Sequence, residues 1–138
     1  MPSISLRLQT EREELLRLAD AVERFGTEQG LSQDDLINVH LVLDEVVSNV
    51  IRHGHTVDGQ GRVDVALALD GHELRIDVMD NGIPFDPLAR PATNLNLPIE
   101  QRPVGGLGIH IVKTLSETIA YHREDDRNHL SVTMRVGG

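Results

Sequence analysis

The chain has 138 residues, enough for one domain with a sizeable core. Only 2% of it is aromatic against 39% hydrophobic, so the core must be aliphatic. The absence of cysteine excludes disulfides and thiolate metal sites, and a net charge of −9 argues against a general nucleic-acid binder, which needs clustered Lys and Arg.

No apolar run approaches the ~18 residues of a membrane-spanning helix. The start, MPSISLRLQT, has no basic-then-apolar leader pattern. The expectation is a free-standing cytoplasmic domain, 1–138, with no membrane and no direct nucleic-acid contact.

Ile4–Leu8 alternates apolar and polar and reads as a short strand. Thr10, with Glu13 three residues on, has the form of a capping box for a helix running to about Glu28. Leu15, Leu18, Ala19, Val22 and Phe25 give that helix one apolar stripe, and Gly30 ends it. Ser32 caps a second helix with Asp34 and Asp35 in its first turn, where the macrodipole favours acids. Leu36, Val39, Leu43, Val46, Val47 and Val50 form its core face, and it ends near Gly54.

His55–Gly61 is a polar loop. Arg62–Leu69 and Glu73–Asp80 alternate as two strands around the tight-turn signal Asp70-Gly71. Asp80 shares the parity of Leu74, Ile76 and Val78, so it is expected on the core face at the strand end. Asn81–Pro103 contains five prolines and no sustained period, a composition suited to a lid or binding loop. Gly105–Gly108 opens a helix, Ile109–Glu117. Thr118–Arg123 and His129–Val136 read as strands joined by a polar turn, Glu124–Asn128. Hairpins, with helices not interleaved one-to-one with strands, indicate an α+β two-layer sandwich: a mixed, mainly antiparallel sheet with three helices on one face.

Three constellations bear chemistry. Glu45, Asn49 and Arg52 stack on one face of the second helix. Asn offers a neutral oxygen to Mg²⁺, and Glu a general base; the same row also reads as a solvated helix face. Asp80-Asn81-Gly82 leaves a strand, where a carboxylate could pair with a ligand amine and Gly82 could admit a flat ring; it also reads as ordinary turn chemistry. Gly105–Gly108 exposes backbone N–H groups at a helix start, an anion site or a hinge, without the Gly-Lys-Ser/Thr of a P-loop. The chain has seven histidines, with His53 and His55 flanking Gly54. They lack zinc-site spacing and read as surface or helix-end residues.

In this order and spacing the three resemble the GHKL ATPase superfamily (Bergerat fold), and within it the small anti-sigma factor/serine-protein kinases, the RsbW-like group. LDEVVSNVIRHGH, within 40–55, resembles the N-box, MDNGIPFDP, within 78–87, the first glycine box, and GGLGIHIVKTL (105–115) the second, with a lid at 83–104. The first glycine box departs from D-x-G-x-G in lacking the second glycine, and Pro84 stiffens its exit.

The resemblance implies ATP and Mg²⁺ as ligands. Asn49 would help hold Mg²⁺ against the triphosphate, and Glu45 would be the general base. Asp80 would accept a hydrogen bond from the adenine amino group, with Gly82 beside the base. Gly105, Gly106, Leu107 and Gly108 would hold phosphates, and Arg52 would be a basic phosphate contact. Thr133 would supply a hydroxyl supporting adenine, with Ser131 sharing its strand parity. The implied activity is a protein serine kinase that phosphorylates a STAS-domain anti-anti-sigma protein and sequesters a sigma factor; relatives often form homodimers. Two other readings stay open: a nucleotide-sensing module that only sequesters a partner, and a small hydrolase unrelated to nucleotides.

Overall fold

A computed structural model describes residues 1–53, 60–89 and 106–137 of the chain. In order come β1 (Ser3–Gln9), α1 (Glu14–Glu28), α2 (Gln33–His53), β2 (Arg62–Asp70) and β3 (Glu73–Asp80). A single 3₁₀ turn, Pro87–Ala89, then precedes α3 (Gly106–Leu115), β4 (Thr118–Glu124) and β5 (Arg127–Arg135). The strands form one sheet in the order β1-β2-β3-β5-β4. Every neighbouring pair is antiparallel. The architecture is therefore the expected α+β sandwich, but its sheet is antiparallel throughout and not mixed. The hairpin β4–β5 docks through β5 onto β3, which leaves β4 at the edge.

Alternation in the strands builds the core. Val63, Val65 and Leu67 of β2, Leu74, Ile76 and Val78 of β3, and Leu130, Val132 and Met134 of β5 all point inward and are buried. They meet Leu18, Val22 and Phe25 of α1, Val39, Leu43, Val46 and Val47 of α2, and Val112 of α3 in a single cluster. Each such side chain contributes about 1.5–3 kcal/mol by leaving water. Phe25 is the one aromatic residue among the buried core side chains described.

The helix ends follow local chemistry. Ser32 Oγ accepts the Asp35 N–H at 3.1 Å and caps α2. After Gln29, Gly30 turns left-handed at φ +74°. The Gly30 N–H then bonds Thr27 O, and the Leu31 N–H bonds Gly26 O, a Schellman closure of α1. The capping box at Thr10 does not form. α1 begins only at Glu14, with no side-chain cap, and Thr10 sits too far upstream. Thr10 instead donates its N–H to Gly61 O, while Glu14 Oε1 accepts from the Gln9 N–H. The lid expected at 83–104 falls within the described residues only up to 89, and the expected helix end at Gly54 lies outside them.

The sheet's other face is polar, as one face of an antiparallel sheet can be. Asp64 is hydrogen-bonded by Arg7 at 2.8 and 3.2 Å and also by Arg127. Asp77 accepts from Arg75 Nε, Ser131 Oγ and the His129 ring, at 2.9, 2.8 and 2.8 Å. Arg7 and Arg127 hold the Asp64 carboxyl below its ordinary value, the Arg7 hydrogen bond most of all. Burial pushes Asp77 up, but Arg75, His129 and Ser131 together outweigh it and leave it lowered. A carboxylate with a depressed folded pKa stabilises the protein above the unfolded value of about 4, and that stability is lost as pH falls through the folded value. Denaturant titrations from pH 6 downward should therefore show stability falling below about pH 4. The double variant Asp64→Asn/Asp77→Asn should have a shallower acid limb. An unchanged slope would show that these groups do not set it.

Candidate functional site

The site starts at the end of β3. Parity with Val78 carries Asp80 inward, and the residue is only 5% exposed. Such a charge is costly to bury without partners. The register sets Asn128 of β5 directly opposite. Asn128 Nδ2 donates to Asp80 Oδ1 at 2.9 Å, and the Gly82 N–H donates to the same oxygen at 2.9 Å. Asp80 Oδ2 takes no hydrogen bond among the described residues.

Asn128 also organises the segment that follows. Its Nδ2 donates to Ile83 O, while its Oδ1 accepts from the Phe85 N–H and the Tyr121 hydroxyl. Arg123 Nη1 donates to Gly82 O at 2.8 Å. Asn81 is tied to the start of β2: its Oδ1 accepts from the Arg62 N–H, and its Nδ2 donates to Gln60 O. So Asp80-Asn81-Gly82 is a turn and an inward carboxylate at once. The turn expected at Glu124–Asn128 is shorter than its polar composition suggests: β5 starts at Arg127 and takes in Asn128. Counting back by twos from Met134, Val132 and Leu130 would have found it.

The second wall is α2. Asn49 is 4% exposed, and its Oδ1 accepts from Arg52 Nη2 at 2.7 Å, one turn along the helix. Glu45, one turn earlier, is half-buried, and its Oε2 is a buried oxygen with no partner among the described residues. Arg52 Nε is likewise buried and unpartnered. The three side chains stack along α2 as helical spacing predicts, with Asn49 buried and Glu45 and Arg52 half-buried.

α3 closes the third side. Its first turn contains Gly106, Leu107 and Gly108. Gly108 packs so tightly on the Glu45 carboxylate that a Cβ there would lie 1.7 Å from Oε2. Glu45 therefore sits over the first turn of α3, where the helix dipole favours negative charge. Gly105 lies outside the described residues. Thr133 does not join the cluster. Its neighbours Val132 and Met134 point inward, so it points to the opposite face, where its hydroxyl meets that of Thr118 at 2.6 Å. Ser131 shares that outward parity and bonds Asp77.

Two of the cavities beside α2 are lined by its polar row. One, of about 30 Å³, is lined by Asn49, Val50, Val78, Asp80, Phe85 and Asn128 among others, and is mostly apolar. The His53 ring stacks on Phe85 beside it, with centroids 4.7 Å apart. The other, of about 160 Å³, is polar and lies on the Glu45 side. Among the described residues no three His, Asp or Glu side chains group to hold a metal ion. Asn49 Oδ1, once released by Arg52, and the orphaned Glu45 Oε2 are oxygens that fit an ion held chiefly by a ligand's phosphates.

A family model, the histidine kinase-like ATPase domain, matches residues 8–134. The chain belongs to that family. Among its relatives is the serine-protein kinase RsbW of Bacillus cereus, 26% identical over 120 residues, which cover 84% of this chain and 74% of that one. The serine/threonine-protein kinase BtrW of Bordetella bronchiseptica is 26% identical over 93 residues, 67% of this chain and 66% of that one. The fold matches the crystal structure of the RsbU and RsbW domains of a Mycobacterium tuberculosis protein at TM-score 0.72 and 18% identity; the match covers 99% of this chain and 33% of that longer one. The histidine kinase AdeS of Acinetobacter baumannii matches at TM-score 0.53 and 13% identity, over 96% of this chain and 68% of that one.

In this histidine kinase-like ATPase domain the Gly108–Glu45 contact should be measurable. Gly108→Ala should destabilise by about 1–3 kcal/mol through overpacking. In the double variant Gly108→Ala/Glu45→Ala most of that loss should be recovered. Chemical denaturation of all four members of the cycle tests this, and strictly additive losses would contradict the contact.

Proposed function

We propose that the protein is an ATP-dependent protein serine kinase that also acts as an anti-sigma factor. The observation that carries the reading is Glu45: a carboxylate with a buried, unpartnered oxygen, one turn from Asn49 and packed on the first turn of α3. A base must be within reach of the proton it takes, and this one has an oxygen to spare. The likeness to kinases named RsbW and BtrW supports the same reading.

Each residue has a role that its surroundings suit. Asp80 Oδ2 would accept from the adenine amino group, while Oδ1 stays fixed by Asn128 and Gly82. Backbone N–H groups of Gly106, Leu107 and Gly108 would hold phosphate oxygens at the start of α3. Asn49 Oδ1 would turn from Arg52 to Mg²⁺, and Arg52 would then be free for a phosphate oxygen. Bound Mg²⁺ would supply charge neutralisation on the triphosphate. Glu45 would take the proton of a serine hydroxyl on a partner; the serine oxygen bonds the γ-phosphorus, the β–γ bridging bond breaks, and ADP keeps the electron pair. Positioning and electrostatics account for most of such catalysis. The mostly apolar cavity beside Asp80, with Phe85 in its lining, would receive the purine.

The partners proposed are a STAS-domain anti-anti-sigma protein as acceptor and a sigma factor as the sequestered protein, in the cytoplasm. A charge of −9 suits covering a basic surface. The Arg52–Asn49 bond favours one alternative, because it occupies the oxygen that Mg²⁺ would need: a nucleotide-sensing module that only sequesters its partner.

Transfer from γ-labelled ATP to a STAS-domain acceptor separates the two. Wild type should label the acceptor. Glu45→Gln should cut the rate about 10²-fold or more while ADP affinity stays within about threefold. Asp80→Asn should weaken ATP binding about tenfold or more. Tight ATP binding by wild type with no transfer would leave only the passive module.

A further inference from the structure

The polar cavity on the Glu45 side has no role yet. It is about 160 Å³ and is lined by Arg12, Asp44, Glu45, Ser48 and Arg52 over an apolar floor of Leu15 and Ile51. It lies between the segment entering α1 and the outer side of α2. The Asn49–Arg52 bond lies between it and the cavity beside Asp80, so the row on α2 walls both.

Its polar groups are short of partners. Glu45 Oε2 and Arg52 Nε are buried and unpartnered among the described residues. The Arg12 guanidinium, exposed to water, makes no hydrogen bond or ion pair among them and lines the cavity with two carboxylates. The Ser48 hydroxyl is also unbonded there. A buried charged atom with no partner costs more than an ordinary unmade hydrogen bond. A ligand that meets this set needs a donor for Glu45 and several acceptor oxygens for two guanidiniums. A simple carboxylate offers no donor. A serine hydroxyl offers the donor, and its phosphate ester offers the oxygens, in the forked geometry that arginine favours.

We infer that this cavity is the acceptor subsite, taking a serine side chain before transfer and the phosphoserine after it, with Arg12 and Arg52 holding the phosphoryl oxygens. The inference rests on the kinase reading for its serine and shares Glu45 and Arg52 with that site; Arg12 is the group that lies outside the nucleotide-binding set. Arg12 touches only the acceptor side. It reaches the cavity from the segment before α1, which no sequence motif marks.

The probe is N-acetyl-phosphoserine amide, titrated into the full chain with ADP and Mg²⁺ present, with the arginine Nε–Hε signals followed by NMR. Inorganic phosphate and the unphosphorylated serine amide form parallel arms. The expected result is a saturable shift of the Arg12 and Arg52 signals, with phosphoserine binding more tightly than inorganic phosphate. Arg12→Ala should weaken phosphoserine about tenfold, Arg12→Lys less, and ADP affinity should stay within about twofold in both. The inference is overturned if the Arg12 signal does not move, if Arg12→Ala leaves phosphoserine affinity unchanged, or if inorganic phosphate binds equally well and marks a general anion hole. Binding needs no turnover, so a wild type that binds phosphoserine but transfers nothing defeats the kinase reading and leaves the subsite standing.

Discussion

The site depends on one carboxylate placed where a carboxylate should not be comfortable. Asp80 is almost wholly buried at the end of a central strand. Two neutral donors, Gly82 N–H and Asn128 Nδ2, satisfy one of its oxygens, and no cation hydrogen-bonds it among the described residues. Neutral donors keep an anion in place without quenching its capacity to accept. That need explains the surrounding structure. Asn128 is fixed by Tyr121 and the Phe85 backbone, and Arg123 fixes the Gly82 carbonyl. The segment leaving β3 is therefore rigid at its root, whatever follows from residue 90 on.

The α2–α3 contact is a second constraint of the same kind. Among the described residues Glu45 and Arg52 each present a buried atom with no partner, yet they stand only two turns apart on one helix face and do not pair with each other. Full pairing would be the stable solution for a purely structural surface. An arrangement that leaves both short of partners trades stability for binding capacity, as functional sites do. Glycine at 108 lets the Glu45 carboxylate lie directly against α3, where any side chain would push that carboxylate aside. The Glu45 carboxylate stands over the first turn of α3, a helix end that favours negative charge.

Periodicity made the elements legible. Alternation placed β2, β3 and the Asp80 parity correctly, and helical spacing put Glu45, Asn49 and Arg52 on one face. The misses share a cause. Asn128 was read into a turn because the hairpin turn is shorter than it looks: Asp125 and Asp126 alone make it, both at positive φ (53° and 60°), a tight two-residue form in which Asp is tolerated. The resemblance implies a role for Thr133 at the adenine, but its strand parity, opposite to that of Val132 and Met134, puts it outside. Thr10 satisfied a capping pattern, but the chain delays the helix to Glu14, and a pattern cannot show where the backbone turns in. Arg12 has no local signal at all; only the packing of α1 against α2 brings it to Glu45's side.

The central claim is that Asp80 reads an amino group on a purine ring. Comparing ATP with inosine triphosphate tests it directly, because inosine carries a carbonyl where adenosine carries the amine. A site built to hydrogen-bond a donor strongly rejects an analogue that lacks it. Calorimetric titration should show ATP binding at least about 30-fold more tightly than inosine triphosphate in Mg²⁺. Equal affinities would mean that the buried carboxylate does not contact the base, and the assignment of the cavity beside it would fall.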